Sequence, residues 1–245
     1  MCGHATIGIC TALAELGMVD TKEPLTRIVL ETPGGLVEAS VTMRSGRAEN
    51  VCYKSVSAYV DYINTDLIVH GLGKLKVDVA YGGNYFVFFS ADEVKLQVIP
   101  QSIQSLIEVG QRVKEAADKQ LPVQHPELQR NNSIGVATVL ANPTNPKALY
   151  KNVHILGAVL PHSLGGTGTS ALMAVLYAKG QIKLNQEIWV ESITEGLFKG
   201  QLLGETKVGN KKGVIPEITG SAYITGFHQF VIDPEDRLKD GFLIQ

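Results

Sequence analysis

Two stretches of this chain are apolar around nearly the whole circumference of a helix, and each opens on a glycine-rich turn. The first is Cys2-Gly3-His4-Ala5-Thr6-Ile7-Gly8, running on to Gly17. The second is Gly165-Gly166-Thr167-Gly168-Thr169-Ser170-Ala171, running on to Gly180. The interval from turn to closing glycine is the same in both. In the first, Ile7, Ile9, Ala12, Leu13 and Leu16 alternate with small residues, and only His4 and Glu15 can carry charge. The second holds Leu172, Met173, Val175, Leu176 and Tyr177. A helix without a polar face must be wrapped by other structure. Gly17 and Gly180 suit the left-handed residue that closes a helix.

The segment after each helix supplies a wrapping. Leu25 to Glu31 is rich in β-formers, and Pro33-Gly34-Gly35-Leu36-Val37 turns it back; Glu187 to Ser192 and Glu195-Gly196-Leu197-Phe198 repeat the plan. A helix–strand–turn–strand unit therefore occurs twice. We expect an α+β fold of two pseudo-symmetric lobes, each a curved β-sheet wrapped around a central helix. Residues 1–48 with 226–245 form the first lobe and 49–225 the second. Few residues precede the first helix, so that lobe is expected to be incomplete at its N-terminus. Uncovered apolar surface on its helix favours a homodimer. Further strands are expected at Val51–Val60, at Lys76–Tyr81 and Tyr85–Phe89 around the turn Gly82-Gly83-Asn84, and at Ser133–Leu140 and Val153–Val159. A strand pair is expected over Ser221–Ile232. Ser102 to Lys119 reads as an amphipathic surface helix.

Composition excludes several functions. With 245 residues, 44% hydrophobic and net charge −2, the chain is globular and has no basic footprint for nucleic acid or an anionic membrane. No run is long enough to span a bilayer and no signal-like segment opens the chain, so a cytoplasmic location is expected. Cys2, Cys10 and Cys52 have no CxxC spacing, and the six histidines form no HxH or HExxH. No metal site is expected.

The chemistry concentrates at the two turns. A helix start offers unpaired N–H groups and a positive dipole end, which suit an anion or a thiolate. Cys2 stands at the first start as a base or nucleophile, or simply as the second residue of the chain. His4 is placed to bond a ligand carboxylate. Gly166, Thr167 and Gly168 at the second start either cradle a carboxylate or phosphate, or serve tight packing. Cys10 and Cys52 read as core packing, His125 as a surface-loop residue and Trp189 as core. His162 and Ser163 precede the second turn without the spacing of a hydrolase triad.

Four segments carry a resemblance. Met1-Cys2-Gly3-His4-Ala5-Thr6-Ile7-Gly8 resembles the first active-site motif of the proline racemase family, which includes proline racemases, 4-hydroxyproline epimerases and trans-3-hydroxyproline dehydratases. Glu31-Thr32-Pro33-Gly34-Gly35-Leu36-Val37, Val77-Asp78-Val79-Ala80-Tyr81-Gly82-Gly83-Asn84 and Gly166-Thr167-Gly168-Thr169-Ser170-Ala171 resemble three more of its signatures. The resemblance implies a two-lobed fold like that of diaminopimelate epimerase. It implies cofactor-independent chemistry on proline or hydroxyproline, with two cysteines at facing helix starts exchanging the Cα proton and the substrate carboxylate resting on both starts. On this likeness Cys2 is one base, and Gly3, His4, Gly166 and Thr167 bind substrate.

The second motif departs from that pattern. The family usually reads Asp-Arg-Ser-Pro-Cys where this chain has Pro161-His162-Ser163-Leu164-Gly165. The second base and the aspartate that would hold the substrate nitrogen are both absent. The dehydratases carry a threonine at the position of Gly165. Two expectations stand beside each other: an enzyme using Cys2 alone, with racemisation impaired and one-base dehydration open to it, or a non-catalytic binding protein or inactive fragment of the family.

Overall fold

The computed structural model describes residues 2–32, 35–129, 132–161 and 163–241. The chain runs α1 (Gly3–Glu15), β1 (Leu25–Thr32), β2 (Gly35–Arg44), β3 (Arg47–Lys54), β4 (Ala58–Val69), β5 (Gly73–Tyr81), β6 (Tyr85–Ser90), α2 (Ile103–Gln120), β7 (Val136–Ala141), β8 (Tyr150–Ile155), α3 (Gly166–Ala178), β9 (Ile188–Glu191), β10 (Leu197–Val208) and β11 (Lys211–Gly220). The class is α+β. The strands form one sheet in the order β1-β2-β3-β11-β10-β9-β8-β7-β6-β5-β4. A further pairing of β4 with β11, at Tyr59↔Gly213 and Ala58↔Val214, closes β4 to β11 into a barrel-like ring.

α3 lies inside that ring. Every residue from Gly168 to Leu176 is buried, as its circumference of apolar and small side chains demands. α1 differs. It buries Gly3, Thr6, Ile7, Cys10, Thr11 and Ala14 along one face, against β2 and β3, while Ile9 is 49% exposed. The uncovered apolar surface expected on this helix is present: one side of the helix is covered and the other is not. The buried faces of α1 and α3 share a single core, in which Ile7 and Cys10 join Leu172 and Val175.

A second core lies outside the ring, under α2. β6 is buried on both faces. Phe86 and Phe88 belong to the core of α3, whereas Tyr85, Val87 and Phe89 belong to the core that Leu106, Val109 and Val113 of α2 complete. This two-sided burial accounts for the unbroken apolar run of β6. β6 and β7 are parallel, and α2 makes the crossover that such a pair requires. β8 meets β9 through only Tyr150↔Val190 and Lys151↔Glu191. Side chains reinforce that short ladder. The fully buried Glu191 accepts from the Thr144 and Asn145 amides at 2.7 and 2.9 Å and pairs with Lys151 at 3.2 Å. Burial opposes ionisation of Glu191, but these donors outweigh it and hold the carboxyl below its ordinary value.

Several expectations need correction. The single strand at Val51–Val60 is two, broken at Ser55, Val56 and Ser57, where the chain passes from β3 to β4 along the same edge of β11. Ser221–Ile232 forms no strand pair; residues 221–241 have no regular structure and are mostly exposed. His125 is buried, its ring 4.6 Å from that of Tyr81. Trp189 is half-buried. β11 went unanticipated because Gly209, Gly213 and the lysines at 211 and 212 break any period-2 pattern at its start. No described helix is long and apolar enough to cross a membrane.

The unequal burial of the two helices sets unequal costs. Leu172→Ala, at a fully buried site, should destabilise the protein by about 2–5 kcal/mol. Ile9→Ala should change stability by about 0.5 kcal/mol or less. Urea unfolding followed by circular dichroism measures both.

Candidate active site

The two glycine-rich turns meet. Cys2, in extended conformation at φ −126°, ψ 111°, is the N-cap of α1, and Gly165, at φ 60°, ψ 98°, is the N-cap of α3. A Cβ added to Gly3 would lie 2.9 Å from the Cα of Gly166, and one added to Gly166 would lie 3.2 Å from the Cα of Gly3. Only residues without side chains allow the helix starts this contact. Their first amides have no partner within their own helices, so two positive helix ends converge on one place.

Beneath the contact sits Tyr53 of β3. A Cβ on either glycine would collide with its hydroxyl. Tyr53 is 1% exposed, and its hydroxyl has no hydrogen-bond partner among the described residues. Burial first, and then the charge of a Cys2 thiolate, push the phenol above its ordinary value. Nothing in the sequence singled Tyr53 out; a tyrosine in a β-rich run reads as packing.

Above the contact is a cleft of about 270 Å³. Cys2, Gly3 and His4 line it from α1, and Gly165, Gly166 and Thr167 from α3. All five residues expected to act on or bind substrate therefore border one space. Gly83 and Asn84, from the β5–β6 turn, form another wall. The Cys2 Sγ lies 3.5 Å from Nε2 of His4, and both residues are exposed. Ser163 lines the cleft; His162 falls outside the described residues. A larger cavity of about 950 Å³ lies beside Tyr177 and Ala178, towards the other end of α3. A helix C-terminus presents carbonyl oxygens and negative potential, which suits an anionic ligand poorly. The smaller cleft is the better candidate.

His154 of β8 also borders the cleft. It is 2% exposed. Its Nδ1 is 2.8 Å from the Thr138 hydroxyl and its Nε2 2.6 Å from the Leu164 carbonyl oxygen. A carbonyl only accepts, so Nε2 carries the proton and Nδ1 accepts from Thr138. The ring is neutral, and burial pushes its pKa down to about 4. It shares a strand face with Asn152 within an otherwise β-forming run. A buried polar pair at period two was the signal available in the sequence.

Cys10 is buried as expected, and burial raises its thiol to about 11, which leaves it inert near neutrality. Cys52 is only partly buried; burial first also raises its pKa, and it lies outside the cleft. Among the described residues, no three of His, Cys, Asp and Glu cluster as metal ligands would.

This geometry has two measurable consequences. Gly166→Ala should destabilise the protein by about 1–3 kcal/mol through overpacking, and Tyr53→Phe in the same chain should recover part of the loss; melting temperatures read both. The low His154 pKa means that the unfolded chain takes up this proton near pH 6.5 and the folded chain only near pH 4. The stabilisation from neutral His154 is thus complete above pH 6.5 and is lost as pH falls to 4, by up to about 3 kcal/mol. Urea unfolding at pH 7 and pH 4.5 should show a smaller difference in His154→Val than in the wild type.

Comparison with known proteins identifies the family. The family described as proline racemase matches residues 1–243. The proline racemase of Clostridioides difficile is 40% identical over 246 residues, covering all of this chain and 73% of that protein. The 4-hydroxyproline 2-epimerase of Cereibacter sphaeroides is 38% identical over 248 residues, again covering all of this chain and 73% of that protein. A crystal structure of a hydroxyproline epimerase from Agrobacterium vitis, with bound trans-4-hydroxy-L-proline, superposes with a TM-score of 0.90 at 29% identity, covering 100% of this chain and 70% of that one. A PhzF-family protein from Bacillus anthracis, 14% identical with a TM-score of 0.60 over 90% of this chain and 73% of that one, shares the fold alone. By sequence over its whole length and by fold, the chain belongs to the proline racemase family.

Proposed function

We propose that the chain binds a proline-type imino acid in the cleft between the two helix starts and exchanges its Cα proton through Cys2. The observation that carries this reading is the contact of Gly3 with Gly166. It brings two sets of unpaired first-turn amides to one point beside a thiol. A substrate carboxylate seated there accepts from the amides of Gly3, His4, Gly166 and Thr167, and both helix dipoles stabilise its charge. The same arrangement stabilises the enolate-like charge that develops on the carboxylate as the Cα proton leaves. A thiolate at Cys2 takes that proton, with the His4 imidazole 3.5 Å from the sulfur as a hydrogen-bond partner. No step requires a cofactor.

In this reading the protein has the two pseudo-symmetric lobes of a diaminopimelate epimerase-like fold. Residues 1–48 with 226–245 form one lobe. Residues 49–225, which include the closed ring around α3, form the other.

Residue 165 is glycine, so no side chain at the second helix start returns a proton to the opposite face. Racemisation is then impaired. Dehydration of a hydroxyproline bearing its hydroxyl at Cβ stays open to a single base. Cys2 takes the Cα proton, the electron pair forms the Cα–Cβ double bond, and hydroxide leaves, taking up a proton as water. The missing side chain at residue 165 equally favours a second reading, a binding protein without turnover.

Nuclear magnetic resonance in D₂O separates the two. L-proline, 4-hydroxyproline and trans-3-hydroxyproline are each incubated with the protein, and the Cα proton signal is followed. Loss of that signal with at least one of them, slowed at least a hundredfold in Cys2→Ala, is the expected result. A signal retained with all three removes the enzymatic reading.

A further inference from the structure

We infer that His154 adds a steric bar to the left-handed backbone that already favours glycine at position 165, and that by filling the second side of the cleft it confines proton transfer to the Cys2 side. The inference rests on the reading of Cys2 as the base.

The geometry is direct. A Cβ added to Gly165 would lie 2.5 Å from Cδ2 and 2.6 Å from Nε2 of His154. A Cβ added to Gly168, one turn further on, would strike the other edge of the same ring. The imidazole thus lies along the start of α3 and fills the space into which a side chain at residue 165 would project. It cannot swing aside cheaply. Thr138 holds one ring nitrogen and the Leu164 carbonyl the other, the ring is 2% exposed, and that of Phe86 packs 5.5 Å away. Breaking either bond would leave a buried polar group unpaired.

The same bonds exclude His154 as a replacement base. Its one proton is committed to the Leu164 carbonyl, and its lone pair is committed to the Thr138 hydroxyl. It has neither a free proton to give the substrate nor a free lone pair to receive one. His154 is therefore a positioning residue. It anchors the carbonyl just before Gly165, sets where the α3 amides point, and walls off the face opposite Cys2. The glycine and the histidine are one joint feature: the ring fits where it does because residue 165 has no side chain.

Two measurements test this. The first is a thermal cycle of Gly165→Ala, His154→Val and the double variant. The left-handed φ at residue 165 strains alanine equally with and without the histidine, so it cancels in the cycle, as does the loss of the histidine's own bonds. We expect Gly165→Ala to lower the melting temperature less in the His154→Val background, by about 5 °C or more. Additive effects overturn the inference.

The second compares the wild type with Gly165→Cys/His154→Val, using each enantiomer of proline in D₂O. The wild type is expected to place deuterium in one enantiomer with retention of configuration. The double variant is expected to form the opposite enantiomer, with deuterium at Cα, at least tenfold faster than the wild type and than Gly165→Cys alone. A wild type that already interconverts the enantiomers as fast overturns the inference. So does a double variant that folds, exchanges deuterium, and still shows retention only. Should no protein exchange at all, the Cys2 reading fails, and the thermal cycle alone decides the role of His154.

Discussion

The contact between Gly3 and Gly166 is the constraint on which the rest of the structure depends. Two helices can bring their N-termini together only where neither has a side chain at the touching residue, and like dipole ends repel. The contact therefore has to be enforced from outside. Tyr53 supports it from below, both helices bury side chains in one shared core with Ile7, Cys10, Leu172 and Val175, and the β-ring fixes α3 by burying it almost completely. An anion placed at the junction removes the repulsion. The fold thus holds a site that is uncomfortable when empty.

Much of this was legible in the chain. The apolar helices and the hairpins after them are present as read, in α1 with β1–β2 and α3 with β9–β10, and the five residues expected to act on or bind substrate border one cleft. These features have a local signature: glycine spacing, period, turn chemistry. What escaped notice was decided by partners distant in sequence. Tyr53 reaches the site from β3, in a run that reads only as a strand, and His154 from β8, where its alternation with Asn152 is the one local hint. β11 was hidden because its glycine and lysines obscure the alternation that would have marked it. The tail misled in the opposite way, since its apolar and β-forming residues suggested a strand pair that the packing does not provide.

The difference between the two turns gains a cause. A cysteine at one helix start and a glycine at the other first reads as the loss of a base. The structure sets an imidazole in the space concerned, tied at both nitrogens and closely packed. Position 165 is therefore not an empty slot awaiting a side chain. Buried polar groups with every bond made are among the more rigid parts of a core, and here one of them forms a wall of the candidate site.

β11 joins everything. It pairs with β10 along one edge and with β3 and then β4 along the other, so it is both the stave that closes the ring and the bridge to the β1–β3 arm. During synthesis β3 and β4 emerge ahead of β5 to β10, and that edge partner exists only after all of these have followed. Until then β4 carries an open edge and α3 has an unfinished enclosure, a state prone to association with other chains. Pairing across so long a stretch is intrinsically slow. Assembly of the site therefore comes late, after nearly all of the described strands have left the ribosome, and the helix starts cannot be locked together before it.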